Sequence, residues 1–260
     1  MSFDILPFPS YNFLTMTDRI FEIGGAGLES ADQKVRKLMD NMVGSEIPGY
    51  KKSEAVVRGF PLELEAATQR ISPVKPQVEG SFYNNIQGAL IRSGGKLDLA
   101  LGADGYFVLA GPWGEGYTRD GRFNLDKDGR LLTVAGSYPV LGRNGPIVVT
   151  PGAEVEFTQE GEIKVDGVVA DRLRVVFPEG KNALESLNGS IFKKQDPYAV
   201  LQEVENPHVV QGYVEASNVN IVDQMMEMIM LEKVYSLNTK IISTRDGNLA
   251  RIMEIARPTQ

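Results

Sequence analysis

The sequence predicts an α+β protein in which N- and C-terminal helices pair as a coiled-coil-like domain and bracket an antiparallel β-rich middle domain. Three observations carry this. An apolar residue recurs at alternating steps of three and four from Phe21 to Met42, the spacing that keeps one stripe of a helix against a partner. Turn dipeptides of the Asx-Gly kind punctuate the middle of the chain, and no crossover helices separate the runs between them, which disfavours a parallel sheet. The last segment returns to a long helical pattern with apolar residues on two faces, and such a helix needs partners on two sides.

The elements follow in chain order. Residues 1–14 hold Pro7, Pro9 and the aromatics Phe3, Phe8, Tyr11 and Phe13, too proline-interrupted for a helix, and read as an extended arm. A helix is expected to open at Thr17, with Asp18 and Glu22 favouring the positive end of its dipole. Its seam is Phe21, Gly24, Leu28, Ala31, Val35, Leu38 and Met42. Gly24, Gly25 and Gly27 each weaken the helix by about 1 kcal/mol relative to Ala, which suggests close backbone approach or a local break. The helix should end near Gly44, and Ile47-Pro48-Gly49-Tyr50 turns the chain away.

Residues 48–92 read as a connector, with Pro61, Pro73 and Pro76 allowing only a short helix around Leu62–Ala67. The β-rich outer domain is expected over 93–204. Its turns are placed at Asp104-Gly105, Asp120-Gly121, Asp128-Gly129, Asn144-Gly145, Glu160-Gly161, Asp166-Gly167 and Asn188-Gly189, where glycine supplies the positive φ of tight hairpins. Strand-like runs include Tyr106–Ala110, Ile147–Thr150 and Arg172–Phe177. A return linker, 205–216, leads to a helix capped by Asn220, with Asp223 in a capping-box-like position, running to about Ala256 with a possible loosening at Asp246-Gly247. One seam of this helix is Ile221, Met225, Met228, Tyr235 and Ile242; the other is Met230, Val234, Leu237 and Ile241. The terminal-helix domain is thus 15–47 with 217–260. The sixteen seam residues of the two helices are the expected assembly interface, with the face left over after intramolecular pairing reserved for another subunit or the β domain.

Composition narrows the function. The chain has 260 residues, 42% of them hydrophobic, and a net charge of −7 with a pI near 5.0. That balance, with basic and acidic residues interleaved, argues against a nucleic-acid partner. With no cysteine, disulfides and thiolate metal sites are excluded. The first residues form neither a basic n-region nor an apolar core, so a cleavable signal peptide is not expected, and no stretch is long and apolar enough for a membrane-spanning helix.

No constellation points to catalysis, a metal or a cofactor. His208 is the single histidine and reads as a surface or turn residue. Asp126-Lys127-Asp128-Gly129 has its glycine misplaced for a calcium loop and reads as a hairpin turn. The glycine-rich Gly111–Gly116 contains Pro112 and Trp113 and precedes no helix, so it is no phosphate cradle. Trp113 itself reads as partly buried within its domain, with an exposed anchor as the alternative. Met225, Met226, Met228, Met230 and Met253 read as core or adaptable interface rather than a soft-metal site, and Glu154 with Glu156 lacks acid–base company.

Met42–Lys51, Leu97–Val108, Tyr117–Phe123, Gly136–Gly142 and Gln211–Val219 are, in chain order, five segments that resemble those of the flagellar rod and hook proteins. Met42…Ile47-Pro48-Gly49-Tyr50-Lys51 is similar to "NNLAN…TPGYK", although Asp40-Asn41-Met42-Val43-Gly44 departs from the Asn-rich stretch. Leu97–Leu101 with Gly105–Val108 resembles "LDLAI…GFFV", and Tyr117–Phe123 resembles "YTRxGxF". Gly136–Gly142 resembles "GxPVLG", and Gln211–Val219 resembles "QGxLExSNV". The resemblance implies a non-enzymatic subunit, without cofactors. It would be exported through the flagellar type III apparatus and polymerise in the periplasm with copies of itself, other rod proteins and hook-ward neighbours. Terminal helices would line the inside and the β domain the outside of a shaft carrying motor torque to the hook. Compact length and Gly145–Val149 lean toward the proximal-rod branch over the distal-rod branch. A different class, an oligomeric β-domain module binding cell-wall polysaccharide or protein, is the alternative, and a peptidoglycan hydrolase comes third.

Overall fold

The computed structural model describes residues 13–58, 77–180 and 183–255. Two long helices, α1 (Phe13–Gly44) and α2 (Ile221–Ile255), enclose nineteen short strands among the described residues. In order these are β1 (Ser53–Arg58), β2 (Gln77–Tyr83), β3 (Leu90–Arg92), β4 (Leu99–Leu101), β5 (Tyr106–Gly111), β6 (Gly114–Thr118), β7 (Phe123–Leu125), β8 (Leu131–Thr133), β9 (Leu141–Gly142) and β10 (Gly145–Pro146). They continue as β11 (Val155–Phe157), β12 (Glu162–Val165), β13 (Val168–Arg172), β14 (Val175–Pro178), β15 (Leu184–Asn188), β16 (Ile191–Lys194), β17 (Leu201–Glu203), β18 (Val209–Gln211) and β19 (Tyr213–Glu215). The expected class holds: paired terminal helices bracket an antiparallel β-rich middle.

The chain divides into two compact units. One comprises 1–36, 55–80 and 226–260; the other comprises 37–54 and 81–225. The first holds residues 13–36 of α1 and 226–255 of α2. In the second, a six-stranded sheet of order β15-β16-β6-β5-β14-β17 is the largest, beside a three-stranded sheet β11-β12-β13 and several two-stranded ribbons. Each pairing with a resolved register is antiparallel.

β5 organises the core, because successive side chains of a strand point to opposite faces and both of its faces are covered. Phe107 and Leu109 join a cluster with Leu99, Leu131, Val140, Ile163 and Ile191. Tyr106 and Val108 face the other way, into a cluster with Tyr117, Val176 and Phe192. Edge-to-face rings support both, Phe107 on Phe123 at 5.2 Å and Tyr106 on Phe192 at 5.6 Å, a preferred aromatic geometry.

Most Asx-Gly turns form as expected. Asp166 (φ 50°) and Gly167 (φ 81°) are both left-handed between β12 and β13, the two-residue hairpin signature. The Asp126 carboxylate accepts the backbone N–H groups of Asp128 and Arg130 at 2.9 and 2.8 Å, closing the β7–β8 hairpin. Asp120-Gly121 differs. Gly121 is absent from the positive-φ residues; its glycine is required because a Cβ would lie 1.6 Å from the Leu99 carbonyl oxygen.

Other expectations shift. α1 is already helical at Phe13, upstream of Thr17, since an interior Thr costs a helix little. It passes Gly24, Gly25 and Gly27 without a break, and α2 likewise passes Asp246-Gly247. Asn220 does cap α2, its side-chain oxygen accepting the Val222 N–H at 3.0 Å. Strands also form outside 93–204: β1 and β2 pair with each other, β18 pairs with β4 and β19 with β3. β3, β18 and β19 look irregular in sequence because each is only three residues long. Ile147–Thr150 makes only an isolated bridge, Val148 to Arg130, and Arg172–Phe177 is split between β13 and β14. The arm through residue 12 and the short helix around 62–67 lie outside the described residues.

Candidate functional site

The most heavily engineered polar feature lies at the helix roots, where the chain leaves α1 and returns to α2. Its geometry begins with two glycines. Gly44 ends α1 and leaves room for the Tyr50 ring, 2.4 Å from where a Cβ would stand. Gly49 has φ +70° and its absent Cβ would meet the Arg119 carbonyl carbon at 2.3 Å. Its N–H donates to the Glu215 carbonyl oxygen at 2.7 Å. The turn therefore lays Tyr50 and Lys51 against β19.

Lys51, Arg119 and Glu215 form a buried ion triad, with side chains only 1–2% exposed. The Lys51 ammonium donates to Glu215 Oε1 at 2.7 Å, to the Ile86 carbonyl at 2.8 Å and to the Asn85 carbonyl at 3.5 Å, so its three donors have acceptors. Arg119 donates from one terminal nitrogen to Glu215 Oε2 at 2.9 Å and from the other to the Ala103 carbonyl at 3.0 Å. Gly88 N–H also donates to Glu215 Oε1, at 3.0 Å. One carboxylate thus serves two cations. The surplus positive charge is spread over three carbonyls and the Tyr106 ring, whose centroid lies 5.6 Å beneath the guanidinium, a cation–π contact.

Neutral amides extend the joint. Asn41, near the end of α1, donates to the Ser53 carbonyl at 2.8 Å and to Gln224 Oε1 at 3.1 Å. It accepts from Ser53 N–H at 2.9 Å and Tyr50 O–H at 3.3 Å. Asn218 accepts from Lys52 N–H at 2.7 Å and donates to the carbonyls of Asn84 and Ile86 at 2.8 and 2.9 Å. The departure from the Asn-rich pattern keeps Asn41, which makes four hydrogen bonds with three residues.

Titration at the junction has a definite sign. Burial, then the Asp40 and Tyr83 charges, push the Tyr50 hydroxyl from 10.0 up to about 12, and burial likewise raises Tyr106 and Tyr117. Folded protein keeps these protons while unfolded chain releases them near pH 10. Their contribution is complete below that pH and is lost as pH rises toward 12. Burial lowers Lys51 from 10.5, against the Glu215 charge, so this group alone makes stability rise with pH up to 10.5. Stability should therefore hold to about pH 10 and then fall. The share of tyrosinate absorbance that belongs to Tyr50, Tyr106 and Tyr117 should appear together with the loss of circular dichroism, not ahead of it.

The expected assembly residues divide between the helices. On α1, Ala31 and Leu38 are buried and Leu28, Val35 and Met42 half-buried, one inward stripe. On α2, Ile221, Met225, Met230, Val234, Tyr235 and Leu237 are exposed, and Met228 is half-buried. The side chains of Phe21, Gly24, Ile241 and Ile242 lie outside the described ones. His208 is an exposed turn residue with φ 49°. Trp113 stacks edge-on to Tyr138 at 4.8 Å, partly covered within the β body. Sequence reasoning nominated no ionic junction; the available signal was that three resembling segments each carry a charged residue, Lys51, Arg119 and Glu215.

Comparison with known proteins decides the family. Residues 100–171 match the flagellar hook protein FlgE/F/G D1 domain, and 210–255 match the flagellar basal body rod FlgEFG protein C-terminal region. The chain is 30% identical over 226 residues to the flagellar basal-body rod protein FlgF of Rhizobium meliloti, covering 86% of this chain and 91% of that one. The chain belongs to the flagellar basal-body rod family. Among its other relatives are the FlgF of Escherichia coli, 29% identical over 92% of this chain and 98% of the relative, and the FlgG of Buchnera aphidicola subsp. Schizaphis graminum, 25% identical over 90% and 98%. As a rod-family member the protein is structural and not an enzyme. No helix among the described residues is long and apolar enough to cross a membrane. The two matched regions contain Arg119 and Glu215, so the triad joins the family's D1 and C-terminal segments to the turn after α1.

Proposed function

We propose that this chain is a proximal-rod subunit of the flagellar basal body. It would be exported through the flagellar type III apparatus and polymerise in the periplasm with copies of itself and other rod proteins into the shaft that carries motor torque to the hook. The observation that carries the assembly reading is the outer surface of α2. Met225, Met226, Ile229, Met230, Val234 and Leu237 are each 47–62% exposed, more apolar surface than a lone helix keeps in water without partners. Relatives called FlgF, 27–30% identical, and relatives called FlgG, 25–28% identical, overlap, so the proximal reading leans on the compact length and Gly145–Val149. The buried triad ties the turn after α1 to Arg119 and to β19 within the second unit.

Exchanging Met230 and Leu237 together for Glu should leave the monomer's melting nearly unchanged, within about 0.5 kcal/mol per site, because both side chains are exposed. Rod growth should be lost. Normal rods from this variant would defeat the assembly reading. Labelled-antibody microscopy of purified basal bodies tests the branch: label at the cell-body end of the rod is expected, and label confined to the hook end would make it a distal subunit.

A further inference from the structure

α2 turns its poorer apolar face inward. From Ile221 to Lys240 the side chains that are not exposed are Gln224, Met228, Leu231 and Asn238, one stripe at steps of four, three and seven that carries an amide at each end. The uninterrupted apolar seam, Met230, Val234 and Leu237, stays outside at 62%, 49% and 61% exposure. The two stripes lie one residue apart, about 100° around the helix. Apolar burial alone favours the opposite choice, so a polar interaction must set the rotation.

We infer that the Asn41–Gln224 hydrogen bond fixes the rotational phase of α2, holding its amide-bearing stripe inward so that its fully apolar seam remains free for neighbouring subunits. Both residues are 1% exposed, and Gln224 is the one buried side chain between Ile221 and Lys240. Asn41 cannot follow a rotating helix, because Ser53 holds both ends of its amide and Tyr50 holds its oxygen. If α2 rotates, the remaining Asn41 N–H is stranded in a dry site, the costly outcome for a buried donor. A single buried polar pair setting the geometry of otherwise permissive apolar helices is a known device of helix pairing, and the Met-rich surface of α2 is permissive in that sense. The role in assembly rests on the polymerising function proposed above; the rotational role does not.

The cysteine-free chain allows a direct test on the full-length monomer. Met230→Cys and Leu231→Cys are made singly, and thiol-labelling rates are compared. In the parent, position 230 should react faster than 231. Asn41→Leu leaves Gln224 buried without its partner and should lower the 230-to-231 rate ratio roughly tenfold, the equivalent of about 1.4 kcal/mol. Gln224→Met keeps every Ser53 and Tyr50 bond of Asn41 and should lower the ratio roughly fivefold; it covers the case in which Asn41→Leu unfolds the root. A parent-like ratio in folded Gln224→Met overturns the inference. Rod growth is scored in the same variants without the added cysteines and should fall with the ratio. A changed ratio with normal rods would refute the assembly role while leaving the rotational one; absent rods in the Met230/Leu237→Glu variant test the polymer reading independently.

Discussion

Glu215→Gln should destabilise the protein by about 3–5 kcal/mol, the range for removing one partner of a buried ion pair. With about 2–4 °C per kcal/mol for domains of 150–250 residues, its melting temperature should drop by roughly 10 °C. The reason is asymmetric bookkeeping of charge: among the described residues, Glu215 is the one carboxylate bonded to Lys51 and Arg119, and both cations are at most 2% exposed. A glutamine keeps the shape but offers an N–H where an acceptor is needed, beside two donors. Lys51→Met should cost less, about 1–2 kcal/mol for unpaired carbonyls, because the Arg119–Glu215 pair survives. The pH response separates charge from shape. Burial already lowers the Lys51 pKa below 10.5, and Glu215 opposes that shift. Without Glu215, folded protein releases the Lys51 proton more readily than unfolded chain, so stability rises with pH in that window. The deficit of Glu215→Gln should therefore shrink as pH rises toward the unfolded-chain lysine value of 10.5, measured by urea unfolding at each pH. A pH-independent deficit, or Lys51→Met as damaging as Glu215→Gln, would show that packing and not charge governs the joint.

Gly49→Ala should be comparably damaging, about 2–5 kcal/mol. A side chain in the left-handed region costs about 1–2 kcal/mol, and forcing a methyl into a packed site adds about 1–3. Both apply here: φ is +70°, and the new Cβ would stand 2.3 Å from the Arg119 carbonyl carbon and the Asp120 nitrogen. Neither neighbour is a flexible side-chain end. The clash would push the turn off β19, breaking the Gly49 N–H to Glu215 carbonyl bond and drawing Lys51 from its carboxylate. Gly94→Ala is the control, with φ +76° but open space around it, and should show only the backbone cost of about 1–2 kcal/mol. Thermal melts that rank the two variants equally would mean the contact with Arg119 carries no weight.

Much of the architecture was legible because its causes are local. Asn220 caps a helix through a bond to a residue two positions on, and Asp166-Gly167 makes a hairpin from its own dihedral preferences. The triad was not legible, since its bonds join residues 164 and 96 positions apart and nothing local marks a charge as buried. Asp120-Gly121 misled for a related reason: its glycine answers to the Leu99 backbone, a non-local contact, and not to a turn. The seams of α2 were visible as apolar, but periodicity could not rank them. The inward stripe was decided by Asn41 on a different helix, and an amide at position 224 reads in isolation as a solvent-facing residue.

The hydrogen bond from Gly49 to Glu215 places the outgoing and returning strands of chain side by side. Everything between them is, in topological effect, a detour that begins and ends at one address. Loops at hairpin tips tolerate added length at small entropic expense, and chain segments with neighbouring ends tolerate insertion. The β body of the second unit could therefore grow, shrink or acquire new loops at its hairpin tips without altering the root where α1 ends and α2 begins. A helical lattice built on those helices would be indifferent to such change, which leaves its outer surface free to be fitted to whatever surrounds the shaft.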